Sequence, residues 1–416
     1  MNRQTQLSMN DAIKANNLDR VKELIEQGSN KNKALNKACE EGHLEVVEVL
    51  LEYGADVRAW DDEPIRKACE NEHLEVVKLL LEHGADVHAM HDVALRIACR
   101  NGYFEIVKLL LERGADVRAM YDEPLWYACR NGHFEVIKCL LERGADVNAK
   151  NGIALRYACQ KGHSEIVKLL LGRGADVHAY DGVALSSACQ KGHSEIVKLL
   201  LEHGADVHAK DDEPLYNACE KGHIEVAKLL LEYGADVNAC LGRSVGVTCI
   251  YGRLEVIKLL LEHGADVYAC DDSALCSACE FGHLEVVKLL LEHCADVHEE
   301  NDAPLREACK YGHLEVVKLL LEHGADVRVW DDEPLRIARK NGRAEVVQYI
   351  ESLIIKKPIS VSTIEMCSIC YSEKSNVITK CKHQFCSVCI ERWLASNNTC
   401  PMCRGVCRDF VPIAQG

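Results

Sequence analysis

The stretch DDEPLYNACEKGHIEVAKLLLEYGADVNAC, residues 211–240, decides the fold of most of this chain. Its front half, PLYNAC, predicts a short helix that opens with proline, because a first-turn residue needs no N–H donor. Asp212 or Glu213 is expected to cap that helix. IEVAKLLLEY then places apolar residues at helical spacing, with Glu and Lys outside, and Gly234 favours a left-handed helix end. The stretch therefore predicts a helix, a turn, a longer helix and a loop.

The same pattern recurs every 30 residues along the chain. Its GADV tetrapeptide returns in nearly every unit, and Cys294 replaces the glycine once. We delimit ten full units at 31–330, a divergent N-terminal cap at 1–30 and a C-terminal cap at 331–357. Neither helix of a unit can bury its apolar face alone, so the pattern predicts a stacked solenoid.

The unit resembles the ankyrin repeat in its PL opening, its A-C pair, its GH turn and the segment LEVVKLLLEHGADV. The resemblance implies a mostly α fold that binds proteins and does no chemistry. The 30-residue period is shorter than the family's period of about 33 residues. EPLR or VALR also stands where the family has TPLH, so its β-hairpin fingers are expected to be short or absent. Such 30-residue arrays resemble those of giant DNA viruses, which implies a location in the host cytoplasm.

Positions that vary between otherwise identical units are candidates for contact with a protein substrate. Such contacts are expected on the concave face of the array, formed by its loops and first helices. Trp, Tyr and Arg are the residue types enriched in binding hot spots. Ordinary exposed residues drifting under weak constraint would give the same pattern. The candidates in the first helices are Arg66, Arg96, Trp126, Tyr127, Tyr157 and Tyr216.

Ten of the 23 cysteines occupy one slot of the first helix, directly after a small residue. A cysteine there is expected to act as a small hydrophobic residue. Packed helices lie about 8–10 Å apart, whereas bridged Cα atoms lie within about 7 Å, so disulfides are not expected. The histidine of the GH turn recurs with the turn, and we interpret it as a cap of the second helix.

The period stops near 357, and a linker at 358–365 leads to MCSICYSEKSNVITKCKHQFCSVCIERWLASNNTCPMCRG. Four pairs of metal-ligating residues, each separated by one or two residues, can form two closed tetrahedral sites. A segment this small has too little hydrophobic core to fold without bound metal, which indicates two structural Zn²⁺ ions. The spacing leaves open which pairs share an ion. The ligands are Cys367, Cys370, Cys381, His383, Cys386, Cys389, Cys400 and Cys403.

Seven cysteines with a histidine in fourth place resemble a RING finger over residues 366–404, followed by a tail at 405–416. The resemblance implies cross-bracing, with Cys367, Cys370, Cys386 and Cys389 on one zinc ion and Cys381, His383, Cys400 and Cys403 on the other. It also implies a non-covalent ubiquitin ligase without a nucleophile of its own. The residues that it assigns to contact with a ubiquitin-conjugating enzyme are Ile369, Trp393, Pro401 and Arg404.

The composition limits the classes of partner that the chain is expected to bind. The net charge of −16 argues against nucleic acid and anionic membranes. The opening MNRQTQLSMN is too polar for a signal peptide, and no apolar stretch approaches membrane length, which predicts a cytoplasmic protein. The leading hypothesis is a RING-type ubiquitin ligase whose array binds a protein substrate. The alternative is a scaffold or decoy in which the finger is structural or mediates dimerisation.

Overall fold

The computed structural model describes residues 8–267, 274–356, 377–379, 384–385, 390 and 410–412. The chain divides into two units, Met1–Val329 and Trp330–Gly416, which are described separately. Paired helices fill the first unit, so the prediction of a mostly α repeat solenoid is confirmed. Residues 8–267 and 274–356 contain no strand, which agrees with the expectation of short or absent hairpin fingers.

Each repeat contributes a first and a second helix. The first helices are α1 (Met9–Lys14), α3 (Lys31–Glu41), α5 (Ala59–Glu70), α7 (Ala89–Asn101), α9 (Ala119–Asn131), α11 (Ala149–Lys161), α13 (Ala179–Lys191), α15 (Ala209–Lys221), α17 (Ala239–Ile250), α19 (Ala274–Phe281), α21 (Glu299–Tyr311) and α23 (Val329–Lys340). The second helices are α2 (Leu18–Glu26), α4 (Leu44–Glu52), α6 (Leu74–Glu82), α8 (Phe104–Glu112), α10 (Phe134–Glu142), α12 (Ser164–Gly172), α14 (Ser194–Glu202), α16 (Ile224–Glu232), α18 (Leu254–Glu262), α20 (Leu284–Glu292), α22 (Leu314–Glu322) and α24 (Ala344–Lys356).

The core of the array is a continuous layer between the helices. Within the first unit, first helices of neighbouring repeats pack side by side, and so do second helices. Leu35 and Leu50 are fully buried, and burying such a side chain contributes about 1.5–3 kcal/mol. The slot cysteine is buried as well, and burial raises the pKa of the Cys219 thiol to about 12. The prediction that these cysteines pack as small hydrophobic residues is confirmed.

A left-handed turn opens most first helices. Trp60, Asp61 and Asp62 have φ angles of 52°, 57° and 59°, so the right-handed part of α5 starts after them. The prediction that Asp212 caps its own helix is wrong. Its carboxylate is buried and accepts the backbone N–H of Asp236, in the next repeat, at 2.9 Å. This aspartate therefore joins two repeats.

Two repeats make the same connection with a different residue. Gly152 stands where most repeats have the buried aspartate, and Asn148 lies four residues earlier. The Asn148 side chain accepts the N–H of Asp176 at 2.8 Å. Gly242 and Asn238 repeat the exchange, with Asn238 accepting from Asp266 at 2.8 Å. The paired substitution preserves a hydrogen bond between neighbouring repeats.

The histidine of the GH turn also connects repeats. Where the histidine is present the second helix starts directly after it, but its side chain accepts no hydrogen bond from the first turn of that helix, as at His73 and His133. Instead, His73 Nε2 lies 3.0 Å from the carbonyl oxygen of Glu40 in the preceding repeat. Where Arg253 replaces the histidine, its Nε donates to the carbonyl of Glu220 at 3.3 Å. Our interpretation of this histidine as a helix cap is therefore wrong.

The second unit contains α24, α23 from Trp330 onward and a small sheet. Strands β1 (Val377–Thr379), β2 (Gln384–Phe385) and β3 (Phe410–Pro412) form an antiparallel sheet in the order β2-β1-β3. Val377 pairs with Phe385 on one side and with Pro412 on the other. Strand β3 lies beyond residue 404, so the sheet includes part of the segment that we expected to be a tail.

Candidate functional site

The six predicted substrate contacts all lie on first helices. Arg66 is on α5, Arg96 on α7, Tyr216 on α15, and the other three are on α9 and α11. Each of the six is partly exposed rather than buried. The structure therefore places them along one row of helices, and only the residues of α9 and α11 come together as an aromatic cluster.

That aromatic cluster consists of Trp126, Tyr127 and Tyr157. The Trp126 ring stacks on Tyr127 at a centroid distance of 3.9 Å and on Tyr157 at 5.6 Å, with interplanar angles of 28° and 21°. The Trp126 Nε1 donor is buried and has no hydrogen-bond partner among the described residues. An unsatisfied buried donor costs about 1–3 kcal/mol.

Two arginines flank the cluster. The Arg156 guanidinium carbon lies 4.9 Å from the Tyr157 ring centroid, and that of Arg130 lies 5.4 Å from it. Neither guanidinium has a carboxylate within ion-pair distance among the residues that the structure describes. Cation–π contacts of this kind hold the two positive charges beside the aromatic surface.

The two arginines among the six predicted contacts, Arg66 and Arg96, are neutralised within the array. Arg66 forms ion pairs with Glu63 at 2.8 Å and Glu70 at 2.5 Å. Arg96 Nε lies 3.2 Å from a carboxylate oxygen of Glu123, and the side chains of this pair are only 21% and 16% exposed. These arginines are already engaged, which makes them weaker candidates for binding a partner than Arg130 and Arg156.

A charge change along the first helices escaped the sequence analysis. The residue after the slot cysteine is glutamate in the first full repeats, as at Glu40 and Glu70, and it becomes Arg100 and Arg130 in the next two. It is glutamate again at Glu220. Comparing this single position between repeats locates Arg100 and Arg130 from the sequence alone.

A shallow cleft of about 110 Å³ lies beside the cluster. Arg156 lines it together with Tyr180, a loop-tip residue that is 61% exposed. Tyr121 is a second exposed loop-tip aromatic residue, 73% exposed. Lys150 lies over the Tyr121 ring at 5.5 Å and also lines the cleft. Aromatic and basic groups therefore extend from the helices to the loop tips in these repeats.

The predicted zinc ligands and the predicted contacts with a conjugating enzyme lie outside the described residues. Strands β1 and β2 are joined by residues 380–383, which include Cys381 and His383. Ile390 is fully buried. In the described part of the chain, no helix has the length and apolar character needed to cross a membrane.

Comparison with known families assigns both parts of the chain. A model of ankyrin repeats in three copies matches residues 9–91, 58–121, 95–181, 155–240, 245–331 and 295–359. The chain belongs to the ankyrin repeat family. Ankyrin repeats mediate protein–protein interactions. A Ring finger domain model matches residues 365–404, so a RING finger follows the ankyrin array. RING fingers generally bind zinc and ubiquitin-conjugating enzymes.

Curated relatives match this ankyrin protein through its finger. RING finger protein 145 of Danio rerio is 48% identical over 42 residues, which cover 10% of the chain and 6% of the relative. E3 ubiquitin-protein ligase ICP0 of Equine herpesvirus 1 is also 48% identical over 42 residues, covering 10% and 8%. RING-H2 finger protein ATL5 of Arabidopsis thaliana is 36% identical over 59 residues, covering 13% and 23%. The chain thus spans less than a quarter of each of these relatives.

One solved structure that is similar to part of this chain is the crystal structure of the human ASB11 ankyrin repeat domain. It is 28% identical in sequence, covers 49% of this chain and 98% of its own, and superposes with a TM-score of 0.43.

Proposed function

We propose that this ankyrin protein is a RING-type ubiquitin ligase whose array binds a protein substrate. One observation carries the proposal: the eight-ligand pattern falls inside the Ring finger match at 365–404, and a viral ubiquitin ligase shares 48% identity there. The array supports the substrate-binding role, since its described first helices present a long row of partly exposed residues to a protein partner.

The finger's metal content follows from its donor set. Thiolate and imidazole ligands in closed sets of four suit structural zinc, which leaves no open position for an activated water. We assign two Zn²⁺ ions to the finger, and cross-bracing as in the RING family gives each ion its four ligands. The first set is Cys367, Cys370, Cys386 and Cys389. The second is Cys381, His383, Cys400 and Cys403. Removing either ion is expected to unfold the finger.

The proposed mechanism is positional. The ubiquitin thioester stays on the conjugating enzyme, and a substrate lysine attacks it directly. Ile369, Trp393 and Pro401 bind the conjugating enzyme, while Arg404 contacts both that enzyme and ubiquitin. Holding the thioester ready for attack lowers the barrier through orientation and proximity rather than through a covalent intermediate. We assign this activity to the cytoplasm, where conjugating enzymes and their substrates meet.

An autoubiquitination assay tests the ligase. The full-length protein is incubated with ubiquitin, the activating enzyme and a panel of conjugating enzymes. Chains are expected with at least one conjugating enzyme, and Ile369→Ala and Arg404→Ala are each expected to reduce them at least tenfold. Absence of chains with the whole panel would instead favour a scaffold or decoy. Full activity in both variants would contradict the assigned contacts.

A further inference from the structure

The array carries a local positive patch that its overall negative charge hides. The first-helix segments 93–102, 123–132, 153–162 and 183–192 contain six basic residues and one acidic residue. Segments 33–42 and 63–72, which precede them, contain four basic and five acidic residues. The positive patch therefore occupies four consecutive repeats in the middle of the array.

Five of the six basic groups of the patch are available for binding, and the sixth, Arg96, is paired with Glu123. Arg100 and Arg130 are exposed, as are Lys161 and Lys191. Together with Arg156 they have no carboxylate partner within ion-pair distance among the described residues. The neighbouring repeats differ, because their basic side chains lie against glutamates. Lys37 pairs with Glu40 and Glu41, Lys67 with Glu70, and Lys221 with Glu220.

The aromatic cluster lies inside this patch. Trp126 and Tyr127 are in its second repeat and Tyr157 is in its third, with Arg130 and Arg156 against the Tyr157 ring. Flat aromatic surface flanked by unpaired guanidinium groups suits a segment that carries both carboxylates and a hydrophobic or aromatic side chain. Arginine binds carboxylates through paired N–H donors, which adds direction to the attraction.

We infer that the first-helix face of α7, α9, α11 and α13 binds a short acidic protein segment. The inference rests on the proposed role of the array in substrate binding and adds the class of segment that is recognised. The segment places carboxylates on Arg100, Arg130 and Arg156 and an apolar side chain on the aromatic cluster. Four packed helices span only about 30–40 Å, and Glu70 and Glu220 lie on either side, so a longer polyanion such as nucleic acid is repelled at both ends.

Selection from a random displayed peptide library tests the inference. The bait is the full-length zinc-loaded protein, compared with Arg130→Glu/Arg156→Glu. The matched control is Lys108→Glu/Lys138→Glu, which changes the net charge equally on exposed positions of second helices. Circular dichroism confirms that each variant is folded.

The wild type and the control are expected to enrich peptides rich in Asp and Glu with an aromatic or aliphatic residue. The reversed variant is expected to lose these peptides and to enrich Lys and Arg instead. Three outcomes overturn the inference: wild-type peptides without an acidic excess, no enriched peptides at all, or the same peptides from the reversed variant. Arginine-dependent binding of a labelled single-stranded RNA without peptide enrichment also overturns it. Autoubiquitination by the wild type is measured alongside. Chains without enrichment of acidic peptides mean that this inference fails while the ligase proposal stands, whereas enriched acidic peptides without chains mean the reverse.

Discussion

His73 Nε2 lies 3.0 Å from the backbone carbonyl oxygen of Glu40, 33 residues earlier and one repeat back. The same connection recurs along the array, as from His133 to Arg100 at 2.9 Å and from His313 to Glu280 at 2.9 Å. A stack of repeats has only nearest-neighbour interfaces. Such a bond therefore contributes directly to the coupling between repeats, and with it to the cooperativity of folding.

Gly42→Ala tests how closely the His73 ring approaches Gly42. A Cβ at Gly42 would lie 2.4 Å from the His73 ring, and the glycine has φ +77°. The matched control is Gly84→Ala, which has φ +89° but nothing within 4 Å of the added atom. Both variants should lose about 1–2 kcal/mol of unfolding free energy, because alanine is strained in the left-handed conformation. Gly42→Ala should lose more, because its Cβ collides with the His73 ring.

Denaturant unfolding measures the difference, and Gly42→Ala/His73→Ala completes a double-mutant cycle. Removing the imidazole should recover the part of the loss that the collision causes. The sequence contains a natural version of this exchange: Glu72 replaces the glycine, and Tyr103 replaces the next histidine. Equal losses of unfolding free energy in the two glycine variants would contradict the close approach of the His73 ring to Gly42.

Asp62→Asn is expected to be neutral or stabilising at neutral pH. The buried Asp62 side chain accepts the N–H of Asp86 at 2.6 Å, and burial raises the pKa of its carboxyl group above the usual value. A raised pKa means that this group favours folding below its unfolded pKa and loses that contribution as pH rises through the folded value. Asparagine keeps the acceptor and carries no charge.

Asp62→Ala is expected to lower the free energy of unfolding by about 1–3 kcal/mol, because the Asp86 N–H loses its acceptor. Asp61→Ala is the matched control, since Asp61 is exposed and has the same left-handed backbone. Urea titrations at neutral and acidic pH compare the variants. The advantage of Asp62→Asn over the wild type should shrink as pH falls, and a growing advantage would refute the assigned sign.

Zinc removal is expected to expose thiols in the finger and to leave the array folded. The wild type should release two zinc ions per chain to a chromogenic chelator. Burial raises the pKa of slot thiols such as Cys309, to about 12, so these should stay unreactive in the native array. The number of thiols that react with a thiol reagent should therefore rise by the seven cysteine ligands, with little change in helical circular dichroism. Loss of most helical signal on chelation would show that the array depends on zinc.

Truncation after residue 409 should weaken the finger. Strand β3 pairs with β1 through Ile378 and Val411 at the centre of the register, although it lies beyond the Ring finger match. The truncated chain should lose zinc at lower chelator concentration than the wild type. A matched control ends the chain after residue 413 and keeps all of β3. Equal zinc retention by the two chains would mean that β3 is dispensable.

Much of the fold follows from the sequence because its 30-residue period repeats the same helical pattern. The two incorrect interpretations have one cause. Asp212 and the GH-turn histidine are in positions typical of helix caps, but their partners, such as Asp236 and the carbonyl of Glu40, belong to neighbouring repeats. Local spacing predicts bonds within a helix, whereas these bonds depend on how the repeats stack.

The candidate site could be predicted only in part for a similar reason. Residue type and variation between repeats made Arg66 and Arg96 candidates in addition to the aromatic residues. The structure separates them, since Arg66 pairs with Glu63 and Glu70 while Arg130 and Arg156 lie against Tyr157. The Arg66 ion pairs lie within α5 at i,i+3 and i,i+4 spacing, which the sequence alone shows. The Arg96–Glu123 ion pair and the Arg130–Tyr157 contact join neighbouring repeats, so they depend on how the helices pack.

Ubiquitination of substrates in cells tests the central claim that the array delivers proteins to the finger. Ubiquitin-remnant proteomics compares the wild type with Ile369→Ala and with Trp126→Ala/Tyr157→Ala. A set of proteins should be ubiquitinated with the wild type alone, whereas autoubiquitination should fail only in Ile369→Ala. Substrate ubiquitination that persists in the aromatic double variant, or in Ile369→Ala, would contradict the account.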